Sequence, residues 1–129
     1  NMQHKHVDIV KGDYKYLRLN LPPSKGHKYP ITTMPWAVRV YERILARNSA
    51  LGFGGSEDYV FMPKQGKEKR ENALETLGRQ FDALMDITKL KTSPSGQVRT
   101  IYSLRHSSIM FRLLYGASID SCLLLSANE

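Results

Sequence analysis

The spacing of apolar residues changes once along this chain, and that change constrains the fold more than any other feature. Before Pro35, apolar residues alternate along short stretches, as in Leu17, Leu19 and Leu21. After Pro35 they recur at intervals of three and four residues. Alternation is typical of strands with one buried face, and the longer intervals are typical of amphipathic helices. Strands first and helices later predict an α+β fold.

Three strands are predicted before Pro35. Turn residues separate them at 11–13 and at 22–28, where Gly, Pro and charged side chains are concentrated. Pro30 lies inside the third strand and indicates an edge position, because proline cannot donate to a neighbouring strand. The predicted strands are 7–10, 14–21 and 29–33. Together they predict a small three-stranded antiparallel sheet.

A mainly helical part follows the sheet. Its predicted helices run from Pro35 to near Asn48, along the stripe formed by Leu74, Leu77, Phe81, Leu84 and Ile87, from an N-cap at Thr100 to about Tyr115, and over 119–125. The last of these either closes the core or packs against something outside the chain. A length of 129 residues suits one domain over 1–129.

The charge balance predicts a polyanionic partner. Nineteen Lys and Arg against twelve Asp and Glu give a net charge of +7, so double-stranded DNA is the first candidate. The alternative is that the charge serves only solubility. No apolar run approaches the roughly 18 residues of a membrane span, and no signal peptide opens the chain. We therefore predict a cytoplasmic protein with no membrane partner.

Cysteine and histidine give no indication of a metal site or a disulfide. Cys122 has no second cysteine to pair with, and no Cys or His pair has zinc-finger spacing. His4 and His6 alternate near the N-terminus, and we predict an exposed pair rather than a chelating one. No metal and no cofactor are predicted.

The most informative motif lies at the start of the third predicted helix. Arg105 follows Tyr102 by three residues, so both side chains project from one face. They lie in the first turns, where free backbone N–H groups and the helix dipole favour an anion. Arginine also suits bidentate contact with phosphate oxygens. The motif predicts a phosphate site, and the alternative is a solvated Arg105 beside a structural His106.

In this context the chain resembles the catalytic domain of the tyrosine recombinases, the phage integrase family. The sequence Leu104-Arg105-His106-Ser107 opens a helix after a loop, behind a three-stranded sheet with a lysine in its second turn. Segments 6–19, 24–28, 31–35 and 59–61 resemble the family's sheet, its lysine-bearing hairpin, the entry into the next helix and a short apolar segment. The order and spacing of these pieces carry the resemblance, which covers most of the chain.

The resemblance implies metal-free phosphoryl transfer in site-specific recombination or integration of a mobile element. In that family a tyrosine hydroxyl attacks a DNA phosphodiester, which leaves a 3′-phosphotyrosyl link and a free 5′-hydroxyl, and a second strand reverses the step. Self-association of the full-length protein on DNA is also implied. The alternative is a non-enzymatic basic DNA-binding module or a degenerate integrase remnant.

Site residues carry over position by position. Arg105 matches the family's second arginine, which stabilises charge on the transition state. Lys25 matches the hairpin lysine that acts as general acid, and Lys28 is the competing assignment. Tyr102 stands where the family usually has histidine, and a phenol can hydrogen-bond a phosphate oxygen but is a poor general base near neutral pH. His106 is assigned a structural role.

Further basic residues and two gaps complete the prediction. Arg39, Lys64 and Arg70 are predicted phosphate contacts. The family's first catalytic arginine and its nucleophilic tyrosine have no match, and Tyr115 is assigned to packing. We therefore predict that this chain is a fragment of the catalytic domain and does not cleave DNA alone.

Overall fold

The computed structural model of the chain describes residues 1–22 and 30–117. Lys25, Lys28, the start of the predicted third strand and the predicted helix 119–125 lie outside the described residues. In chain order the strands and helices are β1 (Val7–Val10), β2 (Tyr16–Leu19), β3 (Ile31–Thr32), α1 (Ala37–Ala50), α2 (Arg70–Ile87) and α3 (Ser103–Leu114). The three-stranded antiparallel sheet followed by helices confirms the α+β prediction.

The sheet has the order β1-β2-β3, and alternation decides which side chains are buried. Val7 lies opposite Leu19 and Ile9 opposite Leu17, so these four side chains share one face. That face packs into the core, in which Leu17 is 5% exposed. β2 is shorter than the predicted 14–21, because the chain bends over 12–14 and pairing with β1 begins at Tyr16.

Helix α1 covers the apolar face of the sheet. Val38 and Tyr41 project from α1 into the core with Leu17, and Val60 joins them from the loop after the helix. Pro35 and Trp36 form the turn that leads into α1, so the helix begins at Ala37 rather than at the proline. Burying one face of an amphipathic helix against an apolar sheet face is the main source of stability in such a layer.

The N-terminal segment holds the loop that follows α1. The His4 N–H donates to the Asp58 carbonyl at 3.0 Å, the Lys5 N–H donates to the Ser56 carbonyl at 2.9 Å, and the Val60 N–H donates to the Met2 carbonyl at 3.0 Å. These backbone hydrogen bonds explain why Val60 is 1% exposed although it lies outside any strand.

The chain divides into two compact units, Asn1–Ala73 and a second that begins at Leu74. The single domain over 1–129 stays a prediction. In the second unit the predicted apolar stripe is helical and exposed at its ends, where Leu74 is 70% exposed and Ile87 is 80% exposed, while Phe81 is half-buried. α2 also starts four residues before that stripe, at Arg70.

The connection between α2 and α3 runs over residues 88–102 and contains a hairpin-like turn. Thr92 and Val98 form an isolated antiparallel bridge, and the Arg99 guanidinium donates to the Leu90 carbonyl at 2.8 Å. α3 begins at Ser103, so Thr100 is not the N-cap that the sequence predicts. Instead the Thr100 N–H donates to the Ser103 hydroxyl at 3.0 Å. Over residues 1–22 and 30–117, no helix has the length and apolarity needed to cross a bilayer.

Candidate nucleic-acid interface

The start of α3 brings together Tyr102 and Arg105, which the motif predicts on one face, and places His106 beside them. The Arg105 guanidinium carbon lies 5.8 Å from the centre of the Tyr102 ring, within cation–π range. The His106 ring lies 5.9 Å from the Tyr102 ring, with its edge towards it at 82°. Tyr102 is 53% exposed and Arg105 is half-buried. A guanidinium, a phenol and an imidazole are therefore adjacent on a surface that a ligand can reach.

The backbone does not supply the free N–H groups that the motif predicts. The N–H groups of Ser103, Leu104 and Arg105 donate to the carbonyls of the residues three positions earlier, at 2.9 to 3.0 Å. The turn over 100–102 continues the helical bonding upstream and uses these donors. Anion binding at these positions therefore depends on the side chains.

The sequence on both sides of this cluster is rich in cations. From Ile87 to Ala117 the sequence has no Asp or Glu, while the cations are Lys89, Lys91, Arg99, Arg105 and Arg112. Lys91 forms an ion pair with Asp82 of α2. A segment that carries cations without carboxylates favours an anionic ligand.

Beside the cluster, α3 lines an open cavity of about 330 Å³. Its lining residues are His106, Ser107, Met110, Phe111 and Leu114. His106 therefore belongs to the cluster with Tyr102 and Arg105 and also lines this mostly apolar cavity. Tyr115, the residue after α3, is 70% exposed, so the structure does not bury it as the packing assignment expects.

The three predicted phosphate contacts lie in the first unit and differ in their surroundings. Arg39 is exposed on α1, and Lys64 is exposed on the loop before α2. Arg70 donates to the carbonyls of Phe61, Met62 and Gln65 at 3.1 to 3.2 Å. Its guanidinium carbon also lies 4.0 Å from the centre of the Tyr59 ring. Arg70 therefore fixes the loop that carries Lys64, and a DNA contact by Arg70 stays a prediction.

We expect Arg70→Lys to lower the free energy of unfolding by about 2 kcal/mol, because an ammonium cannot reach three carbonyls and stack on Tyr59 at once. Urea unfolding followed by circular dichroism measures the change. The matched control on α2 is Arg79→Lys. The Arg79 side chain is 71% exposed, and its ion pair with Glu75, at 3.8 Å, is also exposed and contributes little to stability. Equal unfolding midpoints for the two variants would contradict the role of Arg70.

A buried polar cluster in the first unit was missed by the sequence prediction. His4 is 7% exposed and His6 is 9% exposed, so the predicted exposed histidine pair is wrong. His4 Nδ1 lies 2.9 Å from the Tyr41 hydroxyl, and His4 Nε2 lies 3.4 Å from Asn48 Nδ2. Asn48, 0% exposed, also donates from Nδ2 to the Val60 carbonyl at 3.1 Å.

The hydrogen-bond pattern favours one tautomer of a neutral His4 ring. The same Asn48 Nδ2 amide group faces both the Val60 carbonyl and His4 Nε2. Because this group can only donate, Nε2 accepts. Nδ1 then carries the hydrogen and donates it to the Tyr41 oxygen. The cluster links the N-terminal segment, α1 and the following loop. No sequence signal identifies it, because its members are separated by up to 44 residues.

Burial raises the pKa of the Tyr41 phenol above its ordinary value of 10.0. The folded chain therefore keeps Tyr41 neutral at a pH where the unfolded chain ionises it. The contribution of the neutral Tyr41 phenol to the free energy of unfolding is fully present below the pKa of the unfolded chain. It is lost as the pH rises through the pKa of the folded chain.

We expect Tyr41→Phe to flatten the loss of stability as the pH rises above about 10, because Phe has no hydroxyl to ionise. The readout is the slope of unfolding free energy against pH. Tyr14→Phe, at a position that is 74% exposed, is the control and should keep the parent slope. An unchanged slope in Tyr41→Phe would contradict the assignment.

Comparison with protein-family models, curated proteins and solved structures finds no match to this chain. Within the described part of the chain, no group of three or more His, Cys, Asp or Glu is placed to hold a metal ion. The resemblance to tyrosine recombinases stays a prediction from the residues.

Proposed function

We propose that this chain is part of the catalytic domain of a tyrosine recombinase, which breaks and rejoins DNA in site-specific recombination or integration of a mobile element. The observation that carries the proposal is the pair Tyr102 and Arg105, adjacent on one face of α3 in a chain that opens with a three-stranded antiparallel sheet. The carboxylate-free stretch around the pair supports an anionic substrate.

The proposed chemistry is metal-free. A tyrosine hydroxyl of the whole protein releases its proton to water as its oxygen bonds to phosphorus, the bond from phosphorus to the 5′-oxygen breaks, and the leaving oxygen takes a proton. Arg105 stabilises the charge that develops on the phosphoryl oxygens. Lys25 supplies the proton, with Lys28 as the competing donor, and both lie outside the residues that the structure describes.

Tyr102 and His106 have supporting roles in the proposal. The Tyr102 hydroxyl donates a hydrogen bond to a phosphoryl oxygen, at the position where the family usually has histidine. His106 packs its ring against Tyr102 and holds the phenol beside Arg105. The proposal also includes double-stranded DNA as partner, self-association of the whole protein on DNA and a cytoplasmic location.

The first test is binding of this chain to duplex DNA at several salt concentrations. Neutralisation of phosphates makes the affinity fall steeply with salt, so we expect a strong negative slope of log affinity against log salt. Arg105→Ala should leave duplex affinity nearly intact, because it acts on one reacting phosphate. Absence of binding at low salt would contradict the proposal for this chain.

A further inference from the structure

Three arginines form a line along α1. Arg39, Arg43 and Arg47 recur every four residues, and all three are exposed. Neighbours in this series lie one turn apart, about 6 Å along the helix axis, so the line is about 12 Å long. We refer to Arg39, Arg43 and Arg47 as the arginine ridge.

The ridge lies on the side of α1 away from the core. Val38, Tyr41 and Asn48 are the buried residues of α1, and they define the face that packs on the sheet and the following loop. At about 100° per residue, the three arginines project from the opposite side of the helix. Because α1 is anchored by a buried face, its backbone holds the three arginines at a fixed spacing on one side of the helix.

No ion pair between described residues of the first unit includes the ridge. Glu42 is the only carboxylate on α1, and it forms no ion pair with a described residue. Like charges at this spacing repel and destabilise a helix. A bound polyanion would remove that repulsion.

We propose that the arginine ridge binds the phosphate backbone of duplex DNA. This inference deepens the proposed function and rests on it for the nature of the partner. Guanidinium groups suit bidentate contacts with phosphate oxygens, and a line of about 12 Å spans about seven duplex charges. The role is distinct from that of Arg105, since the ridge contributes affinity while Arg105 acts on the reacting phosphate.

Duplex DNA is favoured over an acidic protein by the regularity of the ridge and by the charge of the chain. Three arginines one helical turn apart suit a partner whose negative charges recur at regular intervals, as the phosphates of duplex DNA do. The whole chain also carries a net charge of +7. A sequence-independent contact of this kind positions a protein on DNA without reading bases.

The test compares two triple variants that each lower the net charge by three. The ridge variant carries Arg39→Gln, Arg43→Gln and Arg47→Gln, and glutamine retains helix propensity. The control carries Lys11→Gln, Lys15→Gln and Arg18→Gln, which are exposed positions at the β1–β2 hairpin of the same unit. Binding to a 30-base-pair duplex of arbitrary sequence is measured by fluorescence anisotropy across a salt series, after circular dichroism confirms folding.

In the ridge variant, the slope of log affinity against log salt is expected to become shallower by about 2 to 3. The affinity at 0.1 M salt is expected to fall by about 100-fold or more. The control is expected to keep the parent slope of log affinity against log salt within about one unit, because the proposal assigns no phosphate contact to these positions. Arg43→Gln alone should make this slope shallower by about 0.9, and this single substitution provides a second test.

The outcomes separate the ridge from the proposed function. If the parent binds duplex and the ridge variant binds like the parent or like the control, the ridge is overturned while DNA binding stands. If the parent does not bind duplex at low salt, the proposed function fails for this chain. If the parent binds polyglutamate through the ridge but not duplex, the ridge is an acidic-protein surface and the proposed partner is wrong.

Discussion

Arg105→Ala is expected to abolish strand exchange by the full-length protein, with the rate falling by about 10³-fold or more. The proposed reaction spreads negative charge over the phosphoryl oxygens, and Arg105 is the cation that the motif places against them. Duplex affinity should change little, because many backbone contacts contribute to binding and this one acts on a single phosphate. Strand exchange on a labelled duplex and anisotropy binding measure the two effects separately.

Two further variants make this result specific. Arg105→Lys keeps the charge but loses the bidentate geometry, so we expect a rate between those of the parent and the alanine variant. Arg79→Ala removes an equal charge from an exposed position on α2 and should exchange strands like the parent. Exchange at the parent rate in Arg105→Ala would overturn the assignment.

Asn48→Leu is expected to destabilise the first unit by about 3 kcal/mol. The side chain is 0% exposed and donates to the Val60 carbonyl, so leucine leaves that buried acceptor without its partner. The change also removes the donor that faces His4 Nε2. Urea unfolding followed by circular dichroism gives the change in free energy.

Ala46→Leu is the matched control for this variant, since Ala46 is exposed on the same helix. Surface substitutions of this kind change stability by at most about 0.5 kcal/mol. An Asn48→Leu chain that unfolds at the midpoint of Ala46→Leu would show that the buried cluster does not stabilise the unit.

The sheet and α1 could be predicted because their apolar residues alone specify them. Val7, Ile9, Leu17 and Leu19 alternate, and one register places all four on the face that α1 covers. The α1 boundaries differ from the prediction by two residues at each end, as expected where turn hydrogen bonds extend or delay a helix.

Other features depend on contacts that local patterns do not encode. α2 starts at Arg70, four residues before the apolar stripe that predicts it, and there Arg70 contacts loop carbonyls and the Tyr59 ring. These contacts are with residues outside the helix, so the apolar periodicity does not indicate them. His4 is buried because Tyr41 and Asn48 satisfy its two ring nitrogens. Polar residues of this kind are typical of exposed positions unless distant partners are supplied by the fold.

The candidate site on α3 could also be predicted only in part from the sequence. The three-residue interval between Tyr102 and Arg105 predicts their shared face, and the structure places the two side chains together. The same interval gives no information on the backbone, where the upstream turn uses the N–H groups of Ser103, Leu104 and Arg105. Spacing thus predicts which side chains meet, whereas the free donors of a helix start depend on the preceding turn.

The measurement that tests the central claim most directly is trapping of a covalent intermediate. The full-length protein is incubated with a nicked duplex in the presence of a metal chelator, and the products are separated under denaturing conditions. We predict a protein–DNA adduct through a 3′-phosphate with a free 5′-hydroxyl, which is absent in Arg105→Ala. Cleavage that requires a divalent metal and leaves no adduct, or tight duplex binding with no cleavage, would contradict a tyrosine recombinase.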